Sequence, residues 1–293
     1  MPTSVKVLIV SEFLRKLRGG SQPILVRAND GLLYVLKFAH NLQGPNLLFN
    51  EVMGAELYRA CGLPVPEWRP LLLTDAFLDR NPACWFGADG ESIRPVAGLC
   101  FGSRFLATGE DSPLEILPGS HFARVANRKA FGLAWLIDIC AQHSDNRQAL
   151  FLRMPGGGLL ATFIDHGSMF GGPQGCDQPH PIAPRYLDPR IYSDDLFDGI
   201  RHASGILNAS KFWNLLRALP TEWHSESALA RFSICIARLT DPTSVRQVID
   251  SIADLYRRTV LREPTGRQPV DHFHSAVLCA GIPNASTGHD AAA

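Results

Sequence analysis

Residues 140–172 read CAQHSDNRQALFLRMPGGGLLATFIDHGSMFGG, and no other stretch restricts the fold as strongly. Between the apolar runs Ala130–Ile139 and Leu159–Ile164 it concentrates His143, Asp145, Asn146, Arg147, Gln148, Asp165 and His166. Polar and ionic groups at the edge of a core are costly unless they are paired or used. Asp145 and Asp165 stand at the two ends of a short hairpin-like unit, with strands expected over Gln148–Arg153 and Leu159–Asp165 around Pro155-Gly156-Gly157-Gly158. Acids so placed can hold a proton acceptor and a divalent cation side by side, as phosphoryl transfer requires. Each residue also has a plain structural account. Asp145 can cap a turn, Asp165 can close a β-turn with Gly167, His143 can be a core histidine on a backbone carbonyl, and Arg147 can partner one of the acids.

Composition narrows the class. The chain has 293 residues, 46% hydrophobic and 19% charged, which fits a folded soluble protein with one large domain or two lobes. Twenty-eight basic and twenty-eight acidic residues cancel, so no global field favours nucleic acid or anionic lipid. The run Val7–Val10 is too short for a signal segment, and no run approaches a membrane span. Seven cysteines stand singly, with no C-x-x-C pair. That pattern suits reduced thiols in the cytoplasm and argues against a disulfide scaffold. Partners expected from this are neither nucleic acid nor membrane, and the oligomeric state is not encoded in any pattern.

Read in order, the first hundred residues form strands and one helix. Val5–Val10, Ile24–Arg27, Leu32–Phe38, Glu67–Leu73 and Ala97–Leu106 are strand-like, and Asn29-Asp30-Gly31 marks a hairpin. Leu47–Cys61 is helical, stopped by Gly62, Pro64 and Pro66, with Glu51 placed in its first turn. Asp75–Gly90 reads as a loop. Gly19-Gly20-Ser21-Gln22 is a turn whose backbone N–H groups can cradle phosphate oxygens or simply join two strands. Lys37 on the neighbouring strand adds a point charge, and Glu51 can reach it across the sheet. After a linker, Ala123–Ala141 is helical, followed by the opening stretch and by helices over Asp194–Ala203, Ala209–Leu219, Glu226–Leu239 and Ser244–Arg262. Phe212, Trp213 and Trp223 read as core of these helices. The tail is polar and Pro/Gly/His-rich, the composition of disorder.

This α+β order resembles a bilobal protein-kinase-like fold, with an antiparallel-sheet N-lobe carrying one helix and a mainly helical C-lobe. The motifs are similar to those of the HipA-like kinase family of bacteria. Gly19-Gly20-Ser21-Gln22-Pro23 resembles its phosphate loop, and Asn50-Glu51 with Glu56-Leu57 and Gly62-Leu63-Pro64-Val65-Pro66 resembles its N-lobe helix and following turn. His143-Ser144-Asp145 resembles the catalytic loop, and Asp165-His166-Gly167 the metal-binding Asp-x-Gly. The expected division is residues 1–107, 108–262 and a disordered tail over 263–293.

The resemblance implies an ATP-dependent kinase that moves a γ-phosphoryl group to a hydroxyl, on protein Ser/Thr or on itself, using Mg²⁺. Its acceptor, protein or small molecule, is not implied. Gly19, Gly20, Ser21, Gln22 and Lys37 would hold the nucleotide phosphates, Glu51 would pair with Lys37, and Asp145 would accept the hydroxyl proton. Asp165 would hold the metal, and the segment Cys100–Leu106, including Phe101 and Ser103, would be the hinge whose backbone meets the adenine. The family places a metal-binding asparagine five residues after the catalytic Asp, where this chain has Leu150. Gln148 can fill that role through a shortened loop, with Asn146 the other nearby amide. Without such a ligand, the same resemblance implies an impaired nucleotide-binding pseudokinase with a regulatory or scaffolding role.

Overall fold

Strand β1 (Leu8–Lys16) pairs antiparallel with β2 (Ile24–Ala28), and register shifts between Val10 and Glu12 and between Phe13 and Arg15 bend it. Such bulges raise the local twist, and here the sheet closes on itself. In this computed structural model, which describes residues 6–106, 112–175, 186, 188–192 and 209–259, the barrel order is β1-β2-β3-β7-β4. β3 is Leu33–Lys37, β4 is Trp68–Leu73 and β7 is Gly98–Arg104. The pairings are antiparallel except β1 with β4, where Leu8 meets Leu71 and Ile9 meets Leu72 in parallel. The expected antiparallel sheet is therefore a barrel sealed by one parallel pair.

Helix α1 (Leu47–Ala60) follows β3 and is buried on nearly all sides, Asn50 and Glu51 included. A helix enclosed all round cannot be strongly two-faced. Because it begins at Leu47, Glu51 is not in its first turn, which holds no acid. The carboxylate is placed there for its side-chain partner and not for the helix dipole. The expected loop 75–90 is instead structured. Thr74 Oγ1 caps α2 (Asp75–Arg80) by accepting from Phe77 N at 3.2 Å, and β5 (Phe86–Ala88) pairs with β6 (Glu91–Ile93). A β-hairpin this short gives too weak an alternation to be read from sequence.

In the second half, α3 (Ala130–Cys140) buries every residue except Ala130 and Ile139. It starts seven residues later than expected. Asn127 explains why: its side-chain amide pairs with the backbone of Ala161, Nδ2 donating to the carbonyl at 2.8 Å and Oδ1 accepting from the N–H at 2.9 Å. Ala126 N also donates to Leu159 O at 2.8 Å. These bonds hold the chain against the hairpin of β8 (Gln148–Arg153) and β9 (Leu159–Ile164). Three helices end the described chain, α4 (Ala209–Ala218), α5 (Glu226–Thr240) and α6 (Pro242–Thr259). Phe212 and Trp223 are core, whereas Trp213 is exposed, contrary to expectation. Trp223 Nε1 donates to Leu99 O at 2.9 Å, which ties the helical part to β7. The helix expected at Asp194–Ala203 and the tail from Glu263 lie outside the described residues.

Candidate active site

The end of β3 delivers Lys37 into a buried position opposite α1. Its Nζ donates to Glu51 Oε1 and, at 2.7 Å, to Asp165 Oδ1. Residues separated by more than a hundred positions thus share one ammonium. Burial disfavours that charge, but the Asp165 and Glu51 carboxylates outweigh it and hold the Lys37 pKa above the ordinary lysine value. Asp165 feels burial upward and Lys37 downward; the lysine wins and the Asp165 pKa falls to about 2. Glu51 moves the other way, raised by burial, with Lys37 pulling it back and Asp165 adding to the rise. Lys37 thus holds one carboxylate that stays an anion and one kept largely for structure. Asp165 retains 37% side-chain exposure, against 3% for Glu51, so Asp165 is the one that can meet a ligand.

The Asp165-His166-Gly167 turn is built against α1. β9 ends at Ile164 and Asp165 takes φ 60°, a conformation that Asp tolerates better than most residues. His166 N donates to Glu51 Oε2 at 3.3 Å and Asn50 Nδ2 donates to Gly167 O at 2.9 Å. A β-carbon on Gly167 would displace two side-chain ends, lying 2.5 Å from Leu47 Cδ1 and 2.8 Å from Glu51 Oε1.

On the hairpin, Gln148 is opposite Ile164. The next residue along, Asp165, therefore lies beside it, and Gln148 Nε2 donates to Asp165 Oδ2 at 2.9 Å. Leu150, opposite Thr162, is apolar and two residues further into the hairpin. The His143-Ser144-Asp145 segment is tethered by hydrogen bonds. The His143 ring Nδ1–H donates to Asp145 O, Ser144 N and Oγ both donate to Ser168 O at 2.8 and 3.1 Å, and Asn146 N donates to Asp145 Oδ1 at 2.7 Å. Burial and then Arg147 hold His143 neutral, its pKa below the ordinary value. Asp145 is exposed. The cost expected for an acid at an apolar edge does not fall on it, because the loop turns its side chain to solvent.

That cost falls on a residue the sequence did not single out. Asp138, fully buried inside α3, takes a two-point ion pair from Arg147, Nε to Oδ2 at 2.9 Å and Nη2 to Oδ1 at 2.7 Å. Tyr58 OH donates to the same carboxylate at 2.7 Å, and its ring lies 4.7 Å under the Arg147 guanidinium. Arg147 Nη1 donates on to Ile164 O and Asp165 O at 2.8 and 3.1 Å. Arg147 is thus a structural residue, but its carboxylate is Asp138 and not Asp145 or Asp165. A lone acid between Ile137 and Ile139 was the available signal.

The Gly19–Gln22 segment forms the expected turn. Gln22 N donates to Gly19 O at 3.0 Å and Asn41 Nδ2 donates to Ser21 O at 2.9 Å. The Gly20 and Ser21 N–H groups have no partner among the described residues, as an anion cradle requires. Gly19 at φ 136° adopts a backbone closed to other residues. The Gln22 side chain turns away, toward Gly87. The hinge expectation shifts. Phe101 and Ser103 lie within β7, flanked by β3 and β4, so their N–H and C=O groups are consumed in the ladders and do not meet a ligand. Arg104 N and Phe105 N are also engaged, to Glu67 O and Leu33 O. The chain leaves the barrel only at Phe105-Leu106.

With this geometry described, the chain aligns with the crystal structure of the proinflammatory kinase CtkA of Helicobacter pylori. The TM-score is 0.53 at 13% identity, over 84% of this chain and 99% of that one. The fold is that of the protein kinases. The crystal structure of the Golgi casein kinase with Mn/ADP bound aligns at TM-score 0.47 and 12% identity, over 85% of this chain and 74% of that one. No protein-family model and no curated protein matches the sequence. Within the kinase fold, the barrel and α1 supply Lys37 and Glu51, and the β8–β9 hairpin supplies Asp165 and Gln148. Among the described residues no three His, Cys, Asp or Glu side chains converge as a metal cage. The Asp165 carboxylate suits Mg²⁺, a hard cation that takes one or two carboxylate oxygens plus substrate phosphates; the Gln148 amide beside it donates through Nε2, and only its Oε1 would serve as a metal ligand.

Proposed function

We propose that the protein is an ATP-dependent kinase of the HipA-like kind, transferring the γ-phosphoryl group to a hydroxyl on a protein serine or threonine or on itself. The observation that carries this reading is Lys37 held between Glu51 and Asp165, with Gln148 on the second Asp165 oxygen. In this reading residues 1–107 carry the phosphate side of the site and 108–262 the catalytic and metal side.

The roles follow from the chemistry. The Gly20 and Ser21 N–H groups and the Lys37 ammonium bind phosphate oxygens, Glu51 keeps Lys37 extended, and Asp165 with Gln148 holds Mg²⁺. Mg²⁺ neutralises phosphate charge when it is bound with the nucleotide. Asp145, exposed at the tip of a tethered loop, orients the acceptor hydroxyl and takes its proton. The Gln148 placement supports activity over an impaired, binding-only module, because the amide missing at Leu150 is replaced two residues earlier.

The deciding experiment combines thermal melting with radiolabelled phosphate transfer. Mg²⁺-ATP at about a hundred times its Kd raises stability by ~2.7 kcal/mol. Asp145→Ala keeps that shift and loses ~10²–10⁴-fold in transfer. A wild type that is stabilised by Mg²⁺-ATP but transfers no phosphate to itself or to lysate components establishes the binding-only module instead.

A further inference from the structure

Gln22 carries a feature that phosphate binding does not explain. Its side-chain amide makes a two-point bond to one backbone unit of the β5–β6 hairpin: Nε2 donates to Gly87 O at 2.7 Å and Oε1 accepts from Gly87 N at 2.8 Å. Both halves of the amide are satisfied by a single residue, as in a strand pairing. Gln22 also holds φ 46°, a conformation costly for a residue other than glycine or asparagine, so the turn is shaped to present this side chain.

The hairpin is itself anchored to the barrel. Lys16 Nζ donates to Trp85 O, and the rings of Phe38 and Phe86 meet edge to face at 4.9 Å. Phe86 is buried, so the strand bearing Gly87 is a fixed support. On the opposite side of the turn, Asn41 holds the Ser21 carbonyl and is itself buried. The glycine turn is therefore gripped from both flanks, by Asn41 through Ser21 and by Gly87 through Gln22. The residues between the grips, Gly20 and Ser21, are those whose N–H groups point to no protein partner.

We propose that Gln22 is a positioning residue, a latch whose amide clamps the phosphate turn onto the β5–β6 hairpin so that the Gly20 and Ser21 N–H groups are preset for a nucleotide phosphate. The proposal rests on the kinase reading above. Gln22 does not itself touch the phosphate; it lowers the ordering cost of the turn that does. The 74–97 insertion between β4 and β7 thereby becomes part of the nucleotide site although it supplies no ligand to it.

The test measures ATP KM and kcat for wild type, Gln22→Ala, Gln22→Asn and Gly87→Pro, with amide hydrogen exchange at Leu17 and at position 22, the hydrogen-bonded N–H groups of the turn, in the nucleotide-free proteins. Asparagine tolerates positive φ better than glutamine but is one methylene too short for Gly87. If the latch is correct, Gln22→Asn behaves like Gln22→Ala. Both raise ATP KM about threefold to tenfold, change kcat less, and exchange faster across the turn. Gly87→Pro removes one of the two bonds from the other side and shifts KM the same way. Wild-type constants in Gln22→Asn, or unchanged exchange in Gln22→Ala, overturn the latch alone. A wild type that binds no Mg²⁺-ATP overturns the kinase reading and the latch together.

Discussion

A β-carbon on Gly167 would lie 2.8 Å from Glu51 Oε1, the oxygen that Lys37 holds. The glycine of the Asp165-His166-Gly167 turn thus leaves the space that the α1 carboxylate occupies beside the lysine. Three sequence-distant motifs meet through this one missing side chain.

Gly167→Ala forces the Leu47 and Glu51 side chains to shift, since its methyl would lie 2.5 Å from Leu47 Cδ1 and 2.8 Å from Glu51 Oε1. Overpacking of this kind costs ~1–3 kcal/mol, and the displaced atoms include the Lys37–Glu51 pair. We expect lower thermal stability and a larger fall in nucleotide affinity than stability alone accounts for. Melting curves with and without Mg²⁺-ATP separate the two.

Gln148 meets Asp165 Oδ2 at 2.9 Å and is exposed, so its loss leaves the apo protein nearly as stable as wild type. Removal of groups that serve a metal site typically costs ~10–100-fold in metal affinity. We expect Gln148→Leu to need that much more Mg²⁺ for half-maximal nucleotide binding, read by calorimetry at varied Mg²⁺. An unchanged Mg²⁺ requirement removes Gln148 from the metal site.

Asp138→Ala strands Arg147, whose guanidinium is buried and whose charge is held by that carboxylate. Removing one partner of a buried pair costs ~3–5 kcal/mol, measurable by urea unfolding. Replacing both residues by apolar side chains of similar volume recovers much of the loss if the pair serves stability alone. Recovery of stability without recovery of phosphate transfer shows that Arg147 also sets the backbone of Ile164 and Asp165.

Asp241 caps α6: its carboxylate accepts from the Ser244 hydroxyl at 2.7 Å, from Ser244 N at 3.0 Å and from Thr243 N at 3.2 Å. These bonds lower its pKa, the hydroxyl first. A carboxyl with a depressed folded pKa stabilises above its unfolded pKa, near ~3.9, and that contribution is lost as pH falls through the folded value. Asp241→Ala is expected to melt a few degrees below wild type at neutral pH. The gap closes as the pH is taken below the ordinary carboxylate range. A gap independent of pH assigns the effect to helix propensity instead.

The sequence by itself determined the local vocabulary of this protein. Apart from the helix and hairpin in residues 75–93, the strand and helix order was legible, as were the glycine turn, Lys37, Glu51 and the two acids, because alternation, helical spacing and turn residues act over a few positions. Tertiary structure decided what those residues do to one another. Asp165 and Lys37 are neighbours only because the β8–β9 hairpin is folded against α1, and Gln148 reaches Asp165 only through the register that sets it opposite Ile164. The burial of Asp138, the exposure of Asp145, the place of Phe101 and Ser103 inside the barrel and the grip of Gly87 on Gln22 depend on which surfaces face each other across the chain. Such pairings are set by the packing of whole elements, and no short window of sequence contains both partners.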